Sequence, residues 1–183
     1  PYGKTKLFIE ELLSDLFACD KNWRIASLRY FNPIGSHKLG LLPEKSKSKS
    51  SNLFPAIIKT IMGEEEKLII FGKDYPTYDG TCIRDFIHVM DLAEAHIAAL
   101  KFLIDNRPQN IALNIGTGKG TSVLEIIKIF QKIKDLRFAY DFAEKRIGDE
   151  PFLVADNNLA LDLLDWFPKR TIEDMCFDYV IKK

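Results

Sequence analysis

The chain has 183 residues, enough for one domain of ordinary size with a sizeable core. Its 26 basic and 26 acidic side chains cancel, which argues against nucleic acid or a membrane surface as partner, because both select for a basic excess. Three scattered cysteines, Cys19, Cys82 and Cys176, lack metal-ligand spacing and point to reduced thiols in a cytoplasmic protein, and no apolar run is long enough to span a bilayer.

The chain opens on Pro1-Tyr2, without methionine or a signal-peptide pattern, a start that suggests a piece of a longer protein. From Gly3, the residues Ile9, Leu12, Leu13, Leu16 and Phe17 recur at helical spacing, and the pattern stops before Asp20-Lys21-Asn22. This predicted helix places Tyr2 and Lys6 on the stripe that continues through Ile9 and Leu13, hence toward the interior. A phenol is a poor base near neutrality, but a cation held beside it favours the phenolate. Next to an oxidised nicotinamide, such a pair suits the removal of a proton and a hydride from an alcohol. Tyr179 and Lys183 repeat the spacing at the other end of the chain, where it reads as structural, so spacing alone leaves a catalytic and an ordinary helix-surface reading of the first pair open.

Residues 24–31 read as a strand that ends at the turn Asn32-Pro33-Ile34-Gly35. Tyr30, Phe31 and Asn32 then lie at a strand's carboxyl end, where ligands gather in open α/β sheets. Residues 37–51 form a predicted loop whose Lys45-Ser46-Lys47-Ser48-Lys49-Ser50-Ser51 tract reads as a solvated linker, with phosphate binding as the alternative. Asn52 reads as the cap of a helix carrying Leu53, Ile57, Ile58 and Ile61, with Pro55 tolerated in its first turn. Residues 68–71 make a short strand closed by Gly72, and 74–81 a turn-rich loop.

The segment Arg84-Asp85-Phe86-Ile87-His88-Val89 leads into Asp91, whose spacing to Glu94 predicts a capping box for a helix turning Leu92, Ala95, His96, Ala99 and Leu103 inward. His96 reads there as a hydrogen-bonded core histidine, and neither His37 nor His88 has a partner in sequence. Residues 111–115 read as a buried strand. The following Gly116-Thr117-Gly118-Lys119-Gly120 fails both the P-loop and the G-x-G-x-x-G patterns and reads as a tight turn into a helix capped by Ser122 with Glu125. A strand over 138–142, a polar segment over 145–151 and two closing helices complete the chain, the later one, from Thr171, burying Ile172, Met175, Cys176 and Tyr179.

In order and spacing, Tyr2-Gly3-Lys4-Thr5-Lys6, Leu28-Arg29-Tyr30-Phe31-Asn32-Pro33, Ser51-Asn52-Leu53, Phe71-Gly72, Cys82-Ile83-Arg84-Asp85-Phe86-Ile87-His88-Val89 and Arg146-Ile147-Gly148-Asp149 resemble the UDP-glucose 4-epimerase family of extended short-chain dehydrogenases/reductases. The resemblance spans nearly the whole chain, and the 74–81 loop looks specifically like the epimerases. It implies an α/β fold: the C-terminal part of a Rossmann-like NAD-binding domain plus a smaller α/β substrate-binding lobe. Residues 1–31 would be the last part of the dinucleotide-binding domain, and 32–183 mainly the nucleotide-sugar lobe, with 84–118 returning to the Rossmann sheet.

The resemblance further implies Tyr2 as acid/base and Lys6 as its partner, the lysine also bonding the nicotinamide ribose of NAD, with Tyr30 and Pro33 along the cofactor. Asn32, Asn52 and Leu53 would hold the UDP-hexose, Phe71 would flank the uracil, Arg84 and Arg146 would face the diphosphate, and Asp149 would lie near the uridine ribose. Leu153 falls where a tyrosine or a smaller residue is associated with excluding or admitting N-acetylated sugars; a branched leucine still crowds an acetyl group, which favours UDP-glucose and UDP-galactose. No metal is implied, and the parent would be a cytoplasmic homodimer of galactose metabolism.

The family's glycine-rich fingerprint and its catalytic Ser or Thr belong upstream of Tyr2. The resemblance therefore implies a C-terminal portion, inactive alone, with weak or absent NAD binding, some self-association, and a strand 24–31 without sheet partners. Two alternatives share these motifs: a nucleotide-sugar dehydratase or decarboxylase, and a noncatalytic UDP-sugar-binding module.

Overall fold

In the computed structural model, strand β1 (Arg24–Tyr30) pairs in parallel with β5 (Gln109–Ile115) along its whole length, from Arg24 opposite Gln109 to Tyr30 opposite Ile115. The structure describes residues 2–37, 52–134 and 137–180; the Lys/Ser tract 45–51 and Lys183 lie outside them. The expectation that residues 24–31 lack a sheet partner is thus corrected, because the chain itself returns strand 109–115 to one edge. Among the described residues the β1–β5 sheet has two strands.

A second sheet is built on β4 (Ile83–His88), flanked by β2 (Asn32–Ile34) in parallel and β6 (Gly120–Ser122) antiparallel, with β8 (Phe152–Leu153) also pairing β4 in parallel. Residues 32–34 are therefore strand where a turn is expected. Pro33 is tolerated there because, among the described residues, β2 has a ladder partner on one side alone, so a missing N–H costs little. A third pair, β3 (Leu68–Phe71) with β7 (Tyr140–Ala143), is parallel.

The alternation of β4 feeds two cores. Phe86 joins Phe54 and Ile57 of α2 (Leu53–Ile61), Ile126 and Phe130 of α4 (Val123–Lys134) and Met175 of α6 (Ile172–Val180). Ile87 faces the other way, into Ala95 and Ala99 of α3 (Val89–Asp105), Leu113 and Ile115 of β5, and Leu164 of α5 (Asn158–Leu164).

Helix α1 (Tyr2–Cys19) forms where the periodicity predicts, but its orientation differs. Tyr2 is 75 % exposed and Ile9 51 %, and the shielded stripe is Glu10, Leu13 and Phe17. The helix is held by polar ties at its centre: Arg29 Nε donates to Glu10 Oε1 at 2.7 Å and Asn110 Nδ2 to Ser14 Oγ at 3.0 Å. A two-stranded sheet is too narrow to cover the remaining apolar positions, which is why the expected inward stripe through Tyr2 and Lys6 faces outward.

One cap assignment also differs. Helix α3 is capped by His88, whose Nδ1 accepts from the Met90 N–H at 3.0 Å. Asp91 lies inside the first turn, fully buried, and accepts from the Arg170 backbone N–H at 3.0 Å and from its guanidinium. By contrast, the Ser122/Glu125 box is present in both directions, at 2.9 and 3.1 Å. Asn52 occupies the N-cap of α2 in extended conformation, without a side-chain capping bond.

Candidate functional site

A cleft of about 1100 Å³ opens where β2, α2, β3, β4 and the turn 146–149 meet. Strand β2 brings Asn32 and Pro33 to its wall, and the start of α2 brings Asn52 and Leu53. Phe71 ends β3 beside Gly72, whose positive φ of 81° lets the chain turn away there. On β4 the alternation brings Arg84 and Phe86 to the cleft, and Cys82, just before the strand, joins them. An Asp149 N–H to Arg146 carbonyl bond of 3.2 Å closes the turn that carries Arg146 and Asp149 together.

Arg84 is held by three acceptors: its own strand's Ile83 carbonyl at 2.9 Å, the Glu150 carbonyl at 2.6 Å, and the Asp149 carboxylate at 3.6 Å. The Arg146 guanidinium stacks 3.8 Å from the centre of the Phe71 ring. Lys59 and Lys67 also line the cleft, against the two carboxylates of Glu65 and Asp149. With Lys67 paired to Asp141 at 2.9 Å, two guanidiniums and the Lys59 ammonium against two carboxylates still leave an excess of positive charge that favours an anionic ligand, and guanidinium forks suit phosphate oxygens.

Behind this wall, Asp85 is fully buried on the opposite face of β4. Its carboxylate accepts from the Thr117 N–H at 2.9 Å and hydroxyl at 2.6 Å, from the Gly118 N–H at 2.9 Å and from the Ala155 N–H at 3.2 Å. A Cβ on Gly116 would stand 2.6 Å from Asp85 Oδ2, so the glycine cluster is a tight turn wrapped on a carboxylate.

Four of the expected site residues lie outside the cleft lining. Tyr2 and Lys6 are together, the ammonium 5.1 Å from the ring centroid, on the exposed start of α1. Tyr30 is half-exposed, with its hydroxyl 2.6 Å from His96 Nε2. His96 Nδ1 lies 2.8 Å from the Leu92 carbonyl, which can only accept, so Nδ1 donates and Nε2 accepts from Tyr30. His96 is thus an exposed histidine beside Tyr30 and not the inward one expected. Leu153 is exposed on β8, opposite Arg84 in register.

The cleft also holds side chains that the motifs do not flag. Cys82 and Phe86 were legible in principle, as the i−2 and i+2 neighbours of Arg84 in and just before one strand. Lys59, Val123 and Tyr179 had no such signal; Tyr179 enters from α6, packing edge-on against Phe54 at 5.2 Å. Among the described residues no group of three or more His, Cys, Asp or Glu side chains could hold a metal ion, and no helix is long and apolar enough to cross a membrane.

The sequence pattern of the NAD dependent epimerase/dehydratase family matches residues 1–116. The chain belongs to that family. It is similar to the UDP-glucose 4-epimerase of Bacillus subtilis (strain 168), with 45 % identity over 178 residues, covering 97 % of this chain and 52 % of that protein. Among solved structures it is similar to a UDP-glucose 4-epimerase from Stenotrophomonas maltophila with bound NAD and formylated UDP-arabinopyranose, at TM-score 0.93 and 45 % identity over 98 % of this chain and 53 % of that one. A UDP-glucose 4-epimerase from Bifidobacterium longum in complex with NAD+ and UDP superposes at TM-score 0.92 and 40 % identity, over 98 % of this chain and 53 % of that one. The chain spans about half the length of the curated relatives it matches. Its α/β architecture is the Rossmann-like one of these epimerases.

Proposed function

We propose that this chain carries the UDP-hexose cleft and the acid/base pair of an NAD-dependent UDP-glucose 4-epimerase, an isomerase that interconverts UDP-galactose and UDP-glucose through a 4-keto sugar in cytoplasmic galactose metabolism. The observation that carries it is the convergence of Phe71, Arg84, Arg146 and Asp149 with Asn32, Asn52 and Leu53 on one cleft in a chain of this family. Arg84 and Arg146 hold the diphosphate, Phe71 stacks on the base, Asp149 accepts from the ribose hydroxyls, and Asn32, Asn52 and Leu53 line the sugar nucleotide. Leu153, next to Arg84 in the sheet, crowds an N-acetyl group.

NAD fits this chain at its nicotinamide end: Tyr2 and Lys6 present an exposed hydroxyl and ammonium on one helical turn, able to donate to ribose hydroxyls. Tyr30 and Pro33, at the end of β1 and on β2, complete the cofactor side. NAD, when bound, supplies a reversible hydride acceptor. Tyr2 takes the proton of the sugar's 4-hydroxyl and returns it, with the Lys6 ammonium held over its ring. Residues 1–31 belong to the dinucleotide-binding domain and 32–183 mainly to the sugar-nucleotide lobe, with 84–118 linking back; the two cores separated by β4 support this division. Exposed Phe8, Ile9 and Leu12 on α1 support a homodimeric whole protein.

The test is calorimetric titration of the 183-residue chain with UDP and with uridine, alongside an epimerase assay. UDP is expected to bind with uridine much weaker, and turnover to be absent in this chain alone. Equal affinity for UDP and uridine would remove the diphosphate role of the arginines. A second reading, a noncatalytic UDP-sugar-binding module, is favoured by the position of Tyr2 and Lys6 outside the cleft lining. Loss of turnover in a Tyr2→Phe variant of the whole protein, with UDP binding retained, decides against it.

A further inference from the structure

Tyr75 lies in the loop between β3 and β4 with 6 % of its surface exposed, and its hydroxyl has no hydrogen-bond partner among the described residues. Phenylalanine would fill the same space without burying an unpaired polar atom, so the hydroxyl needs another reason to be there. The ring is clamped. A Cβ on Gly72 would stand 2.3 Å from Tyr75 Cε2, and the Lys145 ammonium sits 4.8 Å from the ring centroid. Lys145 is itself fixed to the Asp74 carboxylate at 3.0 Å and carbonyl at 3.1 Å.

The Cys82 thiol and the Asp149 carboxylate act on the hydroxyl, and neither forms a hydrogen bond with it. Burial pushes the phenol up to about 12, with the Cys82 thiol and the Asp149 carboxylate adding to the shift and the Arg84 guanidinium offsetting part of it. Tyr75 therefore bridges the two chain segments that form the charged end of the cleft: at Cys82, the segment leading to Arg84, and at Lys145, the segment leading to Arg146 and Asp149. At 3.6 Å the Arg84–Asp149 pair is longer than a charge-assisted hydrogen bond, and an arriving phosphate competes for that guanidinium.

We propose that Tyr75 is a positioning residue for the diphosphate clamp: when an anion draws Arg84 from Asp149, the Tyr75 hydroxyl donates to that carboxylate and holds the 146–149 turn in place. The hydroxyl is idle in the ligand-free protein and engaged in the bound one. The inference rests on the UDP reading of the cleft.

The test is a double-mutant cycle on the 183-residue chain, with Tyr75→Phe, Asp149→Asn and the pair titrated with UDP and uridine, and melting temperatures recorded. Y75F is expected to melt no lower than the parent, to bind UDP roughly tenfold more weakly, and to bind uridine unchanged. In the D149N background the Y75F loss should shrink below about twofold. Unchanged UDP affinity in Y75F, or an equal loss in both backgrounds, would overturn the proposal. So would a lower melting temperature with UDP and uridine weakened alike, which marks a purely structural role. A parent chain that fails to bind UDP at all overturns the underlying reading as well, and the parent titration identifies that case.

Discussion

Arg84 and Asp85 are neighbours on β4 that face opposite ways: the guanidinium lines the cleft, while the carboxylate, fully buried, gathers the 116–118 turn and the Ala155 backbone behind it. Strand alternation thus places a cleft-facing cation and its structural support on adjacent residues. Asp85→Asn should lower stability by about 2–4 kcal/mol, because an amide keeps one accepting oxygen for donors that now use two. Urea unfolding checks this, and an unchanged midpoint would show that the turn holds without the carboxylate.

Arg146 rests on the face of Phe71, its guanidinium 3.8 Å from the ring centre, while Arg84 reaches the Asp149 carboxylate. Arg146→Met keeps an apolar contact with the ring and removes the fork. UDP affinity is expected to fall about 10- to 100-fold, with uridine affinity changed less than threefold. Calorimetry on both ligands decides it; a parallel loss for uridine would place Arg146 at the base and not at the phosphates.

Asp91 has no exposed side-chain surface, and its charge is met by Arg170, 79 residues later. Arg170→Met should cost about 3 kcal/mol by leaving that carboxylate with backbone donors alone, and Asp91→Asn in the same chain should recover part of the loss. The thermal midpoints of the single and double variants provide the comparison. A double variant as unstable as R170M would mean that packing, not charge, is what Arg170 supplies.

His88 is fully buried, with Nε2 3.3 Å from Asp178 on α6. Burial pushes its imidazole below the ordinary 6.5, with Arg170 adding to the shift and Asp178 and Asp91 partly offsetting it. A depressed folded-state value means that the unfolded chain takes the proton first. Stability from this group is therefore complete above about pH 6.5 and is lost as the pH falls through the folded value. Denaturation midpoints measured from pH 7.5 to 5.5 should fall in the parent and less steeply in His88→Gln. Parallel slopes would assign the acid sensitivity elsewhere.

Whatever depended on contacts a few residues apart could be read from the residue order. The 3.6-residue period of α1, the strands at 24–30 and 68–71, and the Ser122/Glu125 box all form as expected, because their hydrogen bonds and apolar spacing are settled within one or two turns. The glycine cluster was legible as a turn, though not the buried Asp85 that it wraps, which lies 31 residues earlier. The recurring motifs placed Asn32, Arg84 and Arg146 in one family pattern before any fold was known.

Only the tertiary structure decided which faces are covered and which polar groups meet. Residues 32–34 are a strand because β4 passes alongside, and Asp91 is an ion-pair partner and not a cap because Arg170 arrives from the far end of the chain. Tyr2 faces outward because, among the described residues, the sheet beneath α1 is two strands wide, and His96 meets Tyr30 because β1 and α3 pack side by side. Each of these outcomes turns on pairings between segments tens of residues apart, where local propensity is silent and the burial of one surface against another selects the partner.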